Sequence, residues 1–199
     1  MSRFVEPVLL AGTRWTRLEP LTLDHIPAIE AAAADSDNAA LWFTSAPTPA
    51  DAETWVRRML AMQAADNGVT FVVRRLADDM PVGSSSMFHV DAPNRRLEIG
   101  HTWYSRSAQR TGINTEAKLL LLTHAFETLG CVAVEFRTHY FNTSSRAAIE
   151  RLGAKLDGVL RSHQLLSNGS RRDTAVYSIL DIEWPAVRAN LNYRLARHD

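Results

Sequence analysis

The stretch YSRSAQRTGINTEAKLLLLTHAFETL, residues 104–129, most constrains what this chain can fold into. From Thr115 to Leu129 it is apolar over most of a helix circumference, through Ala117, Leu119, Leu120, Leu121, Leu122, Ala125, Phe126 and Leu129. A helix of that kind must be covered on more than one side. Residues 131–138 follow at once and put Val132, Val134 and Phe136 on one face of a strand, so the helix is expected to cross between two parallel strands. Just ahead of the helix lie Gln109 and a tight Gly112. The first N–H groups of a helix have no partner inside it, and the aligned peptide dipoles add partial positive charge there. Such a row of donors binds anions, phosphate above all. One glycine falls short of a multi-glycine fingerprint, however, so the phosphate reading needs support from the rest of the chain.

Upstream, residues 8–21 alternate Trp15, Arg17 and Glu19 against Arg14, Thr16 and Leu18 between Gly12 and Pro20, which suits a first strand. Thr22 or Asp24 then caps a short alanine-rich helix with Pro27 in its first turn, ending near Asp35. Residues 37–49 form a proline-containing loop carrying Trp42 and Phe43, which either wall a substrate site or cap the core. Thr48 opens a second helix, with Trp55, Val56, Met59, Leu60 and Met62 as a core stripe up to Asn67 and Gly68. Residues 70–75, 82–90 and 96–104, separated by turns at 77–79 and 91–94, read as an antiparallel meander.

Downstream, residues 142–152 predict a helix closed by Gly153 as a left-handed C-cap. Residues 155–166 and 171–180 form a hairpin about Ser167, Asn168, Gly169 and Ser170, whose Asn-Gly pair is a strong turn signal. A last helix covers 183–197, with Pro185 in its first turn and Val187, Leu191 and Leu195 on one face.

Taken together, three segments resemble the GNAT superfamily of acetyl-CoA-dependent N-acetyltransferases, and within it the Rim-type branch of ribosomal-protein N-terminal acetyltransferases. Gln109-Arg110-Thr111-Gly112-Ile113-Asn114 is similar to the family's Q/R-x-x-G-x-G/A pyrophosphate loop. Asn142-Thr143-Ser144-Ser145, followed by Ile149-Glu150-Arg151-Leu152-Gly153, is similar to its N-x-x-S helix with a Leu-Gly end. Leu97-Glu98-Ile99-Gly100-His101-Thr102-Trp103 looks like the strand before the loop. The resemblance spans about residues 9–184. It implies a mixed α/β (α+β) GNAT fold, with a central, mostly antiparallel twisted sheet, one splayed parallel strand pair and flanking helices. It further implies transfer of acetyl from acetyl-CoA to a primary amine, either a protein N-terminus or a small molecule. The different-class alternative is a non-catalytic CoA-binding or sensing module.

The site residues follow from the same resemblance. The pantetheine arm would enter between residues 97–104, Trp103 included, and 131–138. The pyrophosphate would rest on Gln109, Arg110, Thr111, Gly112, Ile113 and Asn114, with Asn142 and Ser145 as contacts from the next helix. Read from the residues alone, Asn142 is a helix N-cap; it can serve both roles. Two departures stand out. Asn114 replaces the family's Gly or Ala, and Ile149 stands where many members have a tyrosine that protonates the departing thiolate. Tyr177 and Tyr140 are the substitutes to consider. For the base the candidates are Glu98, through a water, and His101. Three positions apart on a regular strand, these two point to opposite faces, so both can serve only if the strand carries a bulge.

Composition narrows the partners. The 199 residues, 46% hydrophobic, suit a single domain spanning 1–199. Lys and Arg total 22 against 22 Asp and Glu, so no overall basic field exists to hold nucleic acid or an anionic membrane. Arg161, His163, Arg171 and Arg172 gather across the predicted hairpin and either recognise an acidic acceptor or form a solvated face. Cys131 is the lone cysteine, read as an apolar filler, and the seven histidines show no metal-ligand spacing. With no signal-like or 18-residue apolar run, the expectation is a cytoplasmic protein with no membrane partner. Family analogy adds homodimerisation through a strand edge or the last helix.

Overall fold

Alternating apolar residues set the sheet, and the sheet sets everything else. In the computed structural model, which describes residues 3–166 and 168–198, eight strands form one sheet in the order β1-β2-β3-β4-β5-β6-β8-β7. They are β1 (Leu10–Ala11), β2 (Thr16–Pro20), β3 (Gly68–Arg75), β4 (Pro81–Asp91), β5 (Arg96–Tyr104), β6 (Ala133–His139), β7 (Lys155–Leu165) and β8 (Arg171–Leu180). Every neighbouring pair is antiparallel except β5 and β6. The single strand expected over 8–21 is interrupted by a turn, where Gly12 donates its N–H to Thr16 O. The turn expected at 167–170 closes with Gly169 N–H on Leu166 O; Ser167 lies outside the described residues.

The sheet sorts its side chains by period two, as β3 shows: Val69, Phe71 and Val73 face one layer and Val72 the other. Helices α1 (Ile26–Ala34) and α2 (Ala52–Ala64) cover the Val72 face, burying Ile29, Ala33, Trp55, Val56 and Met59 with Trp103. Thr48 and Thr22 cap the short 3-10 turns that lead into them, with Asp51 accepting the Thr48 N–H at 2.6 Å. Helices α3 (Ile113–Thr123), α4 (Thr143–Leu152) and α5 (Trp184–Leu195) belong to the opposite layer, where Leu121, Leu122, Ile149, Leu152, Val187 and Leu191 pack on Phe71, Met87, Leu97, Ile99, Val134 and Phe136. Helix α3 begins at Ile113, two residues before the expected start, and widens into a π-turn over His124–Thr128, with Leu129 N–H reaching His124 O. Among the described residues no helix is long and apolar enough to cross a membrane.

Gly153 ends α4 at φ 105°, the left-handed conformation its sequence position predicted. Cys131 is buried in the core and its thiol is pushed up to about 11 by burial, which leaves it protonated and inert.

Candidate functional site

Pairing between β5 and β6 covers Arg96 with Ala133, Leu97 with Val134 and Glu98 with Glu135, and stops there. Both strands run on, β5 paired to β4 as far as Tyr104 and β6 paired to β8 as far as His139. The two therefore splay, and a cavity of about 340 Å³ opens between them. Gly100, His101, Thr102, Trp103 and Tyr104 form one wall and Phe136, Arg137, Thr138 and His139 the other. Asn114 and Lys118 of α3, and Asn142, Ser145 and Ile149 at and in α4, complete it. A second cavity of about 720 Å³ continues outward past Asn114 and Tyr104, lined by Gln109, Arg110, Thr111, Arg151, Arg194 and His198.

A bulge, the condition for Glu98 and His101 to share a face, is present in β5. Ser84 pairs with Trp103 and Ser86 with Gly100, so β5 carries one residue more than β4 across this interval, and His101 takes the extra position at φ 47°. Its ring stacks on Phe88 at 4.2 Å, and Phe88 pairs with Glu98. His101 and Glu98 thus share the face of the sheet that α1 and α2 cover. Burial, then the charges of Arg58 and His89, push the His101 imidazole down to about 4, so it is neutral near pH 7.

Glu98 is 5% exposed. Its Oε2 lies 2.9 Å from His89 Nδ1 and 3.6 Å from Arg137 Nε, while no described group donates to Oε1. Glu98 is outside the cavity lining itself but sits beside Gly100, which is in it: a Cβ on Gly100 would lie 3.2 Å from that free Oε1. Burial raises the carboxyl, against the lowering pull of His89 and Arg137.

The loop ahead of α3 presents donors, though not in an unbroken row. Gln109 N–H is spent on Arg106 O, and Ile113 N–H on Thr111 Oγ1 at 3.3 Å. Among the described residues nothing accepts from the backbone N–H of Arg110, Thr111, Gly112 or Asn114, and Arg110 bends the loop at φ 62°. Gly112 itself is right-handed, at φ −70°, so its role is spatial. A Cβ there would sit 2.5 Å from the Trp15 indole. Ile113 points its side chain into the core, and only its backbone belongs to the loop. Asn114 Oδ1 is buried without a partner where the two cavities meet. The carboxylate of Glu116, in the first turn of α3, accepts four backbone N–H groups, from Thr13, Arg14, Trp15 and Thr16, and so ties this loop to the turn between β1 and β2.

Asn142 does cap α4: its Oδ1 accepts the Ser145 N–H at 3.0 Å. Asn142 and Ser145 both line the cavity. Trp103 lines it too, but lies mostly against Trp55, edge to face at 6.0 Å.

Tyr177 is a correction. Its ring is fully buried in the core, and its hydroxyl accepts from Arg146 Nε and donates to Glu150 Oε1, each at 2.9 Å, away from both cavities. Tyr140 is likewise outside them, its ring under the Arg146 guanidinium at 4.7 Å. The tyrosine that does line both cavities is Tyr104, with a buried, unpartnered hydroxyl held protonated by burial.

Two further residues went unnoticed in the sequence. Lys118, 5% exposed, donates to Ser85 Oγ at 2.8 Å and Thr102 Oγ1 at 2.6 Å, with no carboxylate paired to it among the described residues, and burial pushes it down to about 7. A lysine inside a leucine run, with no acidic residue at i±3 or i±4, was the available signal. His139 is 2% exposed, flanked by Trp42 at 4.9 Å and by Phe43 and Phe141 at 5.6 Å. Phe43 lines the cavity, whereas Trp42 is largely exposed and lies against Phe43 and His139, and neither belongs to the core clusters. The basic hairpin group divides. Arg161 pairs with Asp173 and His163 with Thr174, Arg171 stays exposed, and Arg172 turns into the cavity.

The sequence model described as "Acetyltransferase (GNAT) domain" matches residues 16–155. A GCN5-related N-acetyltransferase from Brucella melitensis is 31% identical, with 96% of this chain and 87% of that chain covered and a TM-score of 0.86. The fold also matches Mycobacterium smegmatis RimJ in complex with CoA-disulfide, at 20% identity, 94% and 95% coverage and a TM-score of 0.78. RimL, a ribosomal L7/L12 alpha-N-protein acetyltransferase in complex with coenzyme A, matches at 16% identity, 87% and 98% coverage and a TM-score of 0.73. A search of proteins with curated function found no match.

Proposed function

The chain belongs to the GNAT acetyltransferase family, and from that premise we propose that it transfers acetyl from acetyl-CoA to a primary amine by direct attack within a ternary complex. The acceptor is a protein N-terminus, as the Rim-type neighbours suggest, or a small amine. The observation that carries this reading is the cavity between the splayed ends of β5 and β6, opening onto the unpaired N–H groups of Arg110, Thr111, Gly112 and Asn114.

The residues fit the cofactor. Backbone donors at the start of α3, with Arg110, Arg151 and Arg194 around the outer cavity, suit a pyrophosphate and a further phosphate. Asn142 and Ser145 face the narrower passage in which an amide-bearing arm would lie. Bound acetyl-CoA supplies the thioester whose C–S bond breaks as the new C–N bond forms. The protein's part is to hold the amine in line and take its proton.

Glu98 is the base in this reading. Its free Oε1 beside Gly100 reaches the cavity through a water, and its raised pKa brings it closer to the working pH than an ordinary carboxylate. His101, down at about 4, is a weak base and serves instead as a wall. A thiolate is already a tolerable leaving group. Where it needs a proton, Tyr104 is the candidate in this reading, because it lines both cavities whereas Tyr177 lines neither.

Calorimetric titration with acetyl-CoA tests the reading, with Arg151→Glu and Arg194→Glu, which reverse two charges of the outer cavity, as the weakened-site control. Micromolar binding that the control loses, followed by thiol release on adding an amine, supports it. Absence of acetyl-CoA binding by the folded protein refutes it.

A further inference from the structure

Resting on the transfer reading above, we infer that the acceptor amine carries a carboxylate of its own, held by Arg172 and His139. The cavity between β5 and β6 is lined by Lys118, Arg137 and Arg172, and among the described residues by no Asp or Glu. Two of these cations are already occupied. Arg137 lies 2.8 Å from Glu135 and 3.6 Å from Glu98, and Lys118 is spent on two hydroxyls.

Arg172 is different. It gives its Nε to Thr174 Oγ1 at 3.0 Å, and no described group accepts from its two terminal nitrogens. His139 is its neighbour on the same face, since Thr174 pairs with His139 across β6 and β8 and Arg172 lies two residues along β8. The His139 Nδ1 accepts the Phe141 N–H at 3.0 Å, so the neutral ring carries its proton on Nε2. That Nε2 is buried and has no hydrogen-bond partner among the described residues. A guanidinium edge and an imidazole N–H, adjacent, buried or half-buried and without an acceptor, match the two oxygens of a carboxylate.

Charge balance leads to the same acceptor. With Arg137 paired to two carboxylates, the guanidinium of Arg172 is the cavity charge left without a hydrogen-bonded acceptor for its terminal nitrogens among the described residues, and an amine that bears its own carboxylate supplies one where a bare amine does not. Trp42 and Phe43 lie against the His139 ring, which is 2% exposed, so water has little access to the imidazole. The phosphates of CoA do not compete for this position, because the unpaired loop donors and Arg110, Arg151 and Arg194 belong to the outer cavity. Two sources offer the same chemistry: a free α-amino acid, and a chain that begins with Asp or Glu.

The test is CoA thiol release with matched acceptors. Free amino acids are compared with their carboxamides, and amidated peptides beginning with Glu are compared with the same peptides beginning with Gln. The carboxylate member of at least one pair should have kcat/KM about ten-fold or more higher, the two pairs telling the sources apart. Arg172→Gln should bring that ratio close to one, and Arg172→Lys, which keeps the charge, should retain part of it. Equal or better use of the carboxamide and Gln members overturns the inference, as does a preference that survives Arg172→Gln. Acetyl-CoA binding with no turnover of any member also overturns it. Failure to bind acetyl-CoA at all would instead remove the transfer reading on which it rests.

Discussion

Glu116 Oε2 accepts the backbone N–H of Thr16 at 2.7 Å, joining residues one hundred positions apart. The same oxygen accepts from Trp15 at 2.7 Å, and Oε1 from Thr13 and Arg14. Bonds to an ionised acceptor are the strong kind, and stranding the donors of buried Thr16 and half-buried Trp15 is costly, while those of exposed Thr13 and Arg14 can turn to water. Glu116→Ala should therefore destabilise the protein by roughly 3 kcal/mol or more, read as a lowered midpoint in urea. A loss under about 0.5 kcal/mol would mean that water replaces the carboxylate without penalty.

The same anchor places Trp15 against Gly112, and here space decides. A Cβ at Gly112 meets the indole at 2.5 Å, so Gly112→Ala should cost about 1–3 kcal/mol despite an ordinary helical φ. In a Trp15→Ala background the cost should largely disappear. A double-mutant cycle with no coupling between the two positions would show that the glycine is needed for something else.

Lys118 pulls stability against the site. An unfolded chain holds the lysine proton up to about 10.5, the folded protein only up to about 7. As the pH falls from 10.5 to 7, the unfolded state therefore takes up a proton that the native state refuses, and stability is lost. Below 7 both states hold the proton and the loss is complete. Lys118→Met should accordingly raise stability at pH 7 by a few kcal/mol, an advantage that shrinks towards pH 10.5. The hydroxyls left behind already lie 2.8 Å apart and can satisfy each other. Thermal melts across that range would contradict the account if the variant were equally or less stable at pH 7.

Much of this arrangement was legible before any coordinates, and the part that was not has a common cause. Residue type and period two disclose the strands, the caps at Thr48 and Asn142 and the glycine end of α4, because local chemistry decides each. The splay of β5 from β6 came through the family resemblance. The bulge could only be posed as a condition, since nothing in Gly100-His101-Thr102 announces which residue will take φ 47°. Tyr177 lies away from both cavities with its hydroxyl engaged by Arg146 and Glu150 from α4, a packing relation no local pattern encodes. Glu116, Lys118 and His139 were missed for the same reason. Each matters through partners far along the chain.

Glu98 and His101 now separate experimentally, because the bulge puts them on one face while burial moves their pKa values in opposite directions: the carboxyl rises and the imidazole falls to about 4. If Glu98 takes the amine proton, kcat/KM should fall as the pH drops through its raised pKa, because the protonated carboxyl cannot accept. Glu98→Gln should lower the rate about 100-fold and abolish that limb. His101→Ala should cost only a few-fold through the lost stack on Phe88, with the limb left in place. His89 also faces this carboxylate, and His89→Gln, which removes a partner that lowers the carboxyl, should move the limb to higher pH. A limb that instead vanished in His101→Ala and persisted in Glu98→Gln would hand the base to the histidine.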